Sequence, residues 1–314
     1  MLWLIAARLA QAVPVLLLVA VLAFLLMHLL PGDPAVVIAG TDASPEMVDR
    51  LRRQLGLDRS VPEQLVAWIA NLLRGDFGRS LMLNQSVLSA VAERVPVTLS
   101  LAALAFAVTL PLGVGLGMTA AYFRNTWIDS TVMGLALAGV SVPSFWIAIL
   151  SVILFSVHLQ WLPSSGYVPI ALGVGPWLKS LLQPALILAM FQVGFLARMT
   201  RSAMLDVLGQ DYIRTARAKG LGEWRTVGKH AFRNALMTVA TVGGIIVSLL
   251  IGGSVVIEQI FALPGIGRLV VQGIMARDYP LIQGTMLMLG FAFVMINIAV
   301  DLVYTLIDPR VRYD

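Results

Sequence analysis

Three histidines, His28, His158 and His230, are the chain's only imidazoles, and they lie too far apart to show metal-ligand spacing. Cysteine is absent from all 314 residues, which excludes disulfides, thiolate metal sites and cysteine nucleophiles. Absent too is the phosphate-cradling pattern G-x-x-x-x-G-K-[ST]. Gly113-Val114-Gly115-Leu116-Gly117 is glycine-rich, but it lies in an apolar run and lacks the lysine. Two carboxylates sit at the ends of apolar runs. Asp301 reads as a structural pairing near one membrane surface rather than a proton relay, and Glu258 as an interfacial cap rather than a substrate contact. No histidine or carboxylate pair is placed for acid–base or nucleophilic catalysis. The fourteen methionines read as flexible core filling, not a metal path. The chain is expected to do no covalent chemistry and to hold no metal or cofactor of its own.

One stretch has residue types suited to contact rather than catalysis, Arg198 to Ala235. Met204, Val207 and Leu208 form an apolar edge, with Gly209 as a stop. Tyr212, Ile213 and Ala216 then form a short apolar face flanked by Arg214, Arg217 and Lys219, and Gly220 ends the turn. The spacing predicts a short exposed helix with small residues where something must approach closely. Two readings stand side by side: a basic helix lying on anionic lipid, helped by the eight positive charges of this stretch, or a docking element for a protein.

The elements around it follow from composition. Of the residues, 59% are hydrophobic and 12% charged, with mean hydropathy +0.87, against about 25% charged in soluble domains. Six runs, approximately 10–30, 97–123, 131–157, 178–197, 236–257 and 281–304, can each cross roughly 30 Å of hydrocarbon. Without an alternating strand pattern these spans are helices, which satisfy their own backbone in lipid. The first run is too long for a leader's apolar core, and Pro31-Gly32-Asp33-Pro34 after it is not a small-residue cleavage site, so it reads as a retained span.

Lys and Arg set the orientation. Arg8, Arg124, Arg310, Arg312 and the eight cations between 198 and 235 fall on one side, against Lys179, Arg268 and Arg277 in the short loops opposite. Both termini and 198–235 are therefore expected in the cytoplasm. The net charge of +5 is an orientation signal rather than a mark of a nucleic-acid partner. The segment 31–96 is expected outside, with short amphipathic helices. Ser44-Pro45-Glu46 starts one that stops near Gly56, and Ser60-Val61-Pro62-Glu63 is a capping box for another that buries Leu65, Trp68, Ile69 and Leu72 and ends at Gly75. Gly113 and Gly117, and Gly244, Ser248 and Gly252, have the four-residue spacing that lets helices approach closely in lipid. Pro111, Pro143 and Pro184 can bend their helices.

Asp211-Tyr212-Ile213-Arg214-Thr215-Ala216-Arg217-Ala218-Lys219-Gly220-Leu221, followed by His230-Ala231-Phe232-Arg233-Asn234-Ala235-Leu236, resembles the cytoplasmic loop of binding-protein-dependent ABC permeases. The likeness is to the dipeptide/oligopeptide/nickel importer family, first permease subunit type. It extends through Leu30-Pro31-Gly32-Asp33-Pro34, Leu55-Gly56-Leu57-Asp58, Gly75-Asp76-Phe77-Gly78 and Ser141-Val142-Pro143-Ser144-Phe145-Trp146. Leu263-Pro264-Gly265-Ile266-Gly267-Arg268, Arg277-Asp278-Tyr279-Pro280 and Asp308-Pro309-Arg310-Val311-Arg312 complete it. Where the wider superfamily has Glu-Ala-Ala and a later Gly, this chain has Arg214, Thr215, Ala216 and Gly220. It has Thr238 where relatives often carry a proline.

The resemblance implies an all-α membrane protein of six transmembrane helices with the type I ABC importer permease fold, in one transmembrane domain over 1–314. It implies a coupling helix, Asp211, Tyr212, Arg214, Thr215, Ala216, Arg217, Ala218, Lys219 and Gly220, that docks on an ATPase. Leu263, Pro264, Gly265, Gly267 and Arg268 would lie near an outer gate or a docking surface for a solute-binding protein. The implied partners are membrane lipid, a homologous second permease, two ATP-binding subunits or domains that bind the ATP and Mg, and the solute-binding protein, all at the bacterial inner membrane. Peptides are the implied cargo, with nickel chelates or glutathione as alternatives. An ion-gradient-driven secondary transporter would instead call for several charged residues at mid-membrane, which are scarce here.

Overall fold

The computed structural model describes the backbone of residues 2–29, 34–39, 43–54 and 56–307. Leu30, Pro31, Gly32, Asp33 and Leu55 of the quoted motifs, and the whole Asp308–Arg312 motif, lie outside the described residues, as do the His28 and Asp301 side chains. Among the described residues the regular structure is helical, save one isolated bridge between Arg79 and Ser86. The first helices are α1 (Leu2–Leu29), α2 (Pro34–Ala39), α3 (Pro45–Gln54), α4 (Val61–Leu73) and α5 (Val87–Ala92). Then come α6 (Val95–Tyr122), α7 (Trp127–Ser141), α8 (Ser144–Ser151) and α9 (Val174–Leu208). The last are α10 (Asp211–Ala218), α11 (Glu223–Arg225), α12 (Phe232–Ile260), α13 (Ile266–Ala276) and α14 (Tyr279–Ile307). A π-helical turn at Val152–His158 continues α8, and another at Thr226–Ala231 joins α11 to α12.

Among the described residues five helical stretches are long and apolar enough to span a membrane, and α7 with α8 makes a sixth candidate that is bent by 95°. The sequence predicts one continuous span over 131–157. The structure breaks it at Val142-Pro143, because proline lacks an N–H and its ring drives the preceding residue out of helical backbone. Val142 is extended accordingly, with φ −87° and ψ 129°. Pro111 and Pro184 lie inside α6 and α9, whose helices run through them. At the start of the fifth span α12 likewise runs through Thr238, and the irregularity falls earlier, in the π turn.

The chain forms two compact units. One comprises Met1–Pro96 and Gly265–Ile298; the other comprises Val97–Pro264 and Ala299–Asp314. In the first, α3 starts where expected, with Met47 and Val48 N–H groups donating to the Ser44 carbonyl. The capping box of α4 forms too: the Ser60 N–H donates to Glu63 Oε2 at 3.0 Å. Leu65, Trp68, Ile69 and Leu72 are half-buried on one face of α4, and the Trp68 ring lies 5.9 Å from that of Phe24 in α1. A second core joins Val87, Ala90 and Val91 of α5 to Ile266 and Leu269 of α13 and Leu281 of α14.

In the second unit, α9 is the axis. Gly113 and Gly117 do bring α6 close to it: a Cβ on Gly117 would lie 2.5 Å from the Ala197 carbonyl oxygen. The tightest approach of α7 to α9 depends on Gly194, where a Cβ would lie 2.6 Å from the Ala136 carbonyl oxygen. Sequence spacing does not single out Gly194, since no second small residue stands four positions away to pair with it. On α12 Gly244 and Ser248 are buried as expected, but Gly252 is exposed with nothing within 4 Å of a Cβ there. The neighbouring Gly253 makes the contact instead, to Leu188.

Candidate functional site

The first eleven residues of the expected loop 198–235 are helical, because α9 continues past the predicted span end to Leu208. After Gly209 and Gln210 the chain turns into α10, the predicted short helix. Its end is a Schellman motif: the Leu221 N–H donates to the Ala216 carbonyl, and the Gly220 N–H to that of Arg217. Gly220 has φ +77°, left-handed backbone that glycine adopts without a Cβ clash. The sequence position of Gly220 therefore fixes where the helix stops.

One side chain anchors α10. Ile213 is fully buried in a cluster with Ala121 of α6, Ala203 and Met204 of α9, Val227 and Ala231 of the π turn, and Ala235 of α12. Burying it is worth about 1.5–3 kcal/mol. Two polar ties hold the helix ends. The Asn234 side-chain amide donates to the Tyr212 hydroxyl at 2.9 Å, and the Arg217 guanidinium makes a two-point contact with Glu223, at 2.9 and 3.2 Å. Asp211, Arg214, Thr215, Arg217, Ala218, Lys219 and Gly220 are exposed, and Ala216 is half-buried. The arrangement is a rigid, polar-faced helix held on one buried residue, presenting Asp211, Thr215 and Ala218 along one outward row.

The Leu263–Arg268 motif is built differently. At the end of α12 the Leu263 N–H donates to the Glu258 carbonyl at 2.9 Å, with Ala262 in the left-handed region, φ +50°. Leu263 is fully buried, and Pro264 is exposed. In the other unit, Gly265 caps α13, Gly267 is buried, and Arg268 is half-buried. The motif thus forms a turn followed by the small helix α13.

Three polar constellations escape sequence reasoning. Asp129 of α7 and Arg201 of α9 form a two-point ion pair with both contacts at 2.6 Å, and the Asn125 N–H also donates to Asp129. Asp278 caps α14 through the Leu281 N–H and accepts from the Ser80 hydroxyl at 2.6 Å and the Met82 N–H at 2.9 Å. Glu258, read as an interfacial cap, is fully buried, and its Oε1 accepts from the Thr98 hydroxyl at 2.7 Å and that of Ser254 at 3.0 Å. The Asn125–Asp129, Asp278–Leu281 and Ser254–Glu258 spacings are local; Arg201, Ser80, Met82 and Thr98 are remote from their partners in sequence. Among the described residues no group of three or more His, Cys, Asp or Glu side chains is placed to hold a metal ion.

Residues 113–313 match the family model for the binding-protein-dependent transport system inner membrane component, and residues 1–102 match that for its N-terminal part. A protein of Brucella abortus, whose name assigns it to a peptide transport system as permease, is 64% identical over 99% of both chains. A probable peptide ABC transporter permease of Sinorhizobium fredii is 42% identical over 98% of each. The glutathione transport system permease of Salmonella choleraesuis is also 42% identical, over 98% of this chain and 97% of its own. Among solved structures, a chain of the inward-facing methionine ABC transporter MetNI shares the fold, with TM-score 0.56 and 21% identity over 71% of this chain and 96% of that one.

Proposed function

The chain belongs to the binding-protein-dependent transport system inner membrane components, as a permease subunit of an ABC importer, and from that premise we propose that it carries di- or oligopeptides across the bacterial inner membrane. The two most similar relatives cited above are named for peptide transport, which favours peptides; the glutathione permease at 42% identity keeps a small peptide-like thiol as the second reading. Nickel chelates have no such support.

In this reading α10 is the coupling helix. Its exposed row inserts into a groove on an ATPase subunit, which binds ATP and Mg, while Ile213 transmits the motion to α6, α9 and α12. A homologous second permease completes the pathway, a solute-binding protein delivers the cargo, and Leu263 to Arg268 lie toward the outer gate. Both termini and α10 face the cytoplasm, a placement that the distribution of Lys and Arg supports. The observation that carries the reading is the pairing of one buried anchor with an otherwise exposed helix. The test is peptide uptake into vesicles holding the purified complex, with and without residues 211–220. Coupled hydrolysis and uptake that survive the deletion would overturn it.

A further inference from the structure

Helix rise counted from the Asp129–Arg201 end, along α7 and along α9, puts the break between α7 and α8 inside the hydrocarbon if that end lies at its edge. From Trp127 to Ser141 the helix rises about 21 Å at 1.5 Å per residue. Along α9, whose Arg201 pairs with Asp129 at the start of α7, the level of the break is near Met190, beside Gly139. That is about 16 Å from Arg201 on the same rise per residue. Against roughly 30 Å of hydrocarbon the two values place the break about half to two-thirds of the way across.

At that depth the backbone is left open. Pro143 has no N–H to offer the Gly139 carbonyl, and among the described residues the Val140 and Ser141 carbonyls and the Ser144 and Phe145 N–H groups find no backbone partner. Ser141 spends its hydroxyl on the Leu137 carbonyl. Bare backbone of this kind does not face lipid; it occurs only against protein or water. The chain itself does not cover it, since Ser141, Pro143, Ser144, Phe145 and Trp146 are all exposed. Nor is the bend loose. Gln183 of α9 donates to Ser151 at 2.9 Å and accepts from Ser156 at 3.1 Å, fastening the bent half to the axis helix.

We propose that the Ser141–Trp146 bend lines the aqueous translocation path. Its open carbonyls and N–H groups bind water and, in passing, the amide and ammonium groups of a peptide, with the Phe145 and Trp146 rings beside them. This rests on the importer reading. Water is favoured over a covering protein surface because Ser144 at the break is exposed beside the open carbonyls and N–H groups.

The chain's lack of cysteine makes the test direct. Ser141→Cys and Ser144→Cys, each in the assembled complex in membrane vesicles, are reacted with N-ethylmaleimide, whose double bond the hydrated thiolate attacks. Ser164→Cys, in the exposed loop after the Val152–His158 turn, sets the fast limit and Ala105→Cys, fully buried, the slow one. Reaction at both serine positions within about tenfold of the Ser164→Cys rate is expected, since a hydrated thiol keeps its ordinary acidity. Rates as slow as that of Ala105→Cys in vesicles that still take up substrate would overturn the proposal, as would labelling that appears only once the partner permease is removed. Uptake is scored separately, so hydrated thiols without ATP-driven uptake would count against the importer reading alone.

Discussion

Arg201 grips Asp129 through both carboxylate oxygens at 2.6 Å, and the pair joins the first turn of α7 to the C-terminal part of α9. The aspartate is buried and the guanidinium largely so. Removing one partner leaves a desolvated charge unmatched, at a cost of about 3–5 kcal/mol for a fully buried pair and toward the lower end here. Asp129→Ala and Arg201→Ala should each lower the unfolding midpoint in detergent. The double variant should lose less than the sum of the two, and strict additivity would show that the pair does not interact.

The exposed row of α10 should separate docking from folding. Thr215→Trp and Ala218→Trp add bulk to surface positions and should leave thermal stability within about 0.5 kcal/mol of the parent. Ile213→Ala removes the anchor and should cost about 2–5 kcal/mol. Uptake should fall in all three, with the ATPase subunits released most readily by the tryptophan variants in a pull-down. Unimpaired assembly and uptake in both tryptophan variants would remove α10 from the interface.

Local chemistry was legible in the sequence, and remote pairing was not. Ser60 and Glu63, Ser44 and Pro45, Gly113 with Gly117, and Gly220 each declare themselves within a few residues, because caps and close approaches use fixed spacings. Asp129 and Arg201 stand 72 residues apart, and Ser80 and Asp278 stand 198 apart, so only the fold brings them together. The bend at Val142 was half legible: Pro143 permits a break, but Pro111 and Pro184 sit in continuous helices. Packing against α9 through Gly194 and Gln183 decides among them.

Gly194→Ala tests that packing. A methyl placed 2.6 Å from the Ala136 carbonyl must push α7 away, and backbone has little room to yield. Overpacking of this kind costs about 1–3 kcal/mol, and Gly117→Ala should behave alike. Gly252→Ala is the control, with open space around it, and should be neutral or slightly stabilising through helix propensity. Equal midpoints for all three would show that the glycines do not set the helix spacing.

The capping box of α4 gives a pH dependence. The Ser60 hydroxyl, then the Ser60 N–H, hold the Glu63 carboxyl below its ordinary 4.5, since both donate to its charged form. A depressed carboxylate contributes stability that is fully present above the unfolded value and is lost as pH falls through the folded one. Protection of the α4 amides against hydrogen exchange should therefore weaken below about pH 4.5. Glu63→Ala should flatten that acid limb. An unchanged limb in the variant would place the titration elsewhere.

Asp278 ties two distant stretches of the first unit together, the chain around Ser80 and the start of α14. Its Oδ2 takes both the Ser80 hydroxyl and the Met82 N–H, while Oδ1 takes the Leu281 N–H. Asp278→Asn keeps the shape but replaces one acceptor by a donor, so at least one of these donors loses its partner. Asp278→Ala orphans all three, at about 1–3 kcal/mol for each buried group left unsatisfied. The segment 76–86 should then open to protease in the alanine variant, less so in the asparagine variant and least in Ser80→Ala, which removes a single donor. Cleavage that is equal in all three and in the parent would show that the segment is held by Val87, Ala90 and Val91 against α13 and α14, without help from the carboxylate.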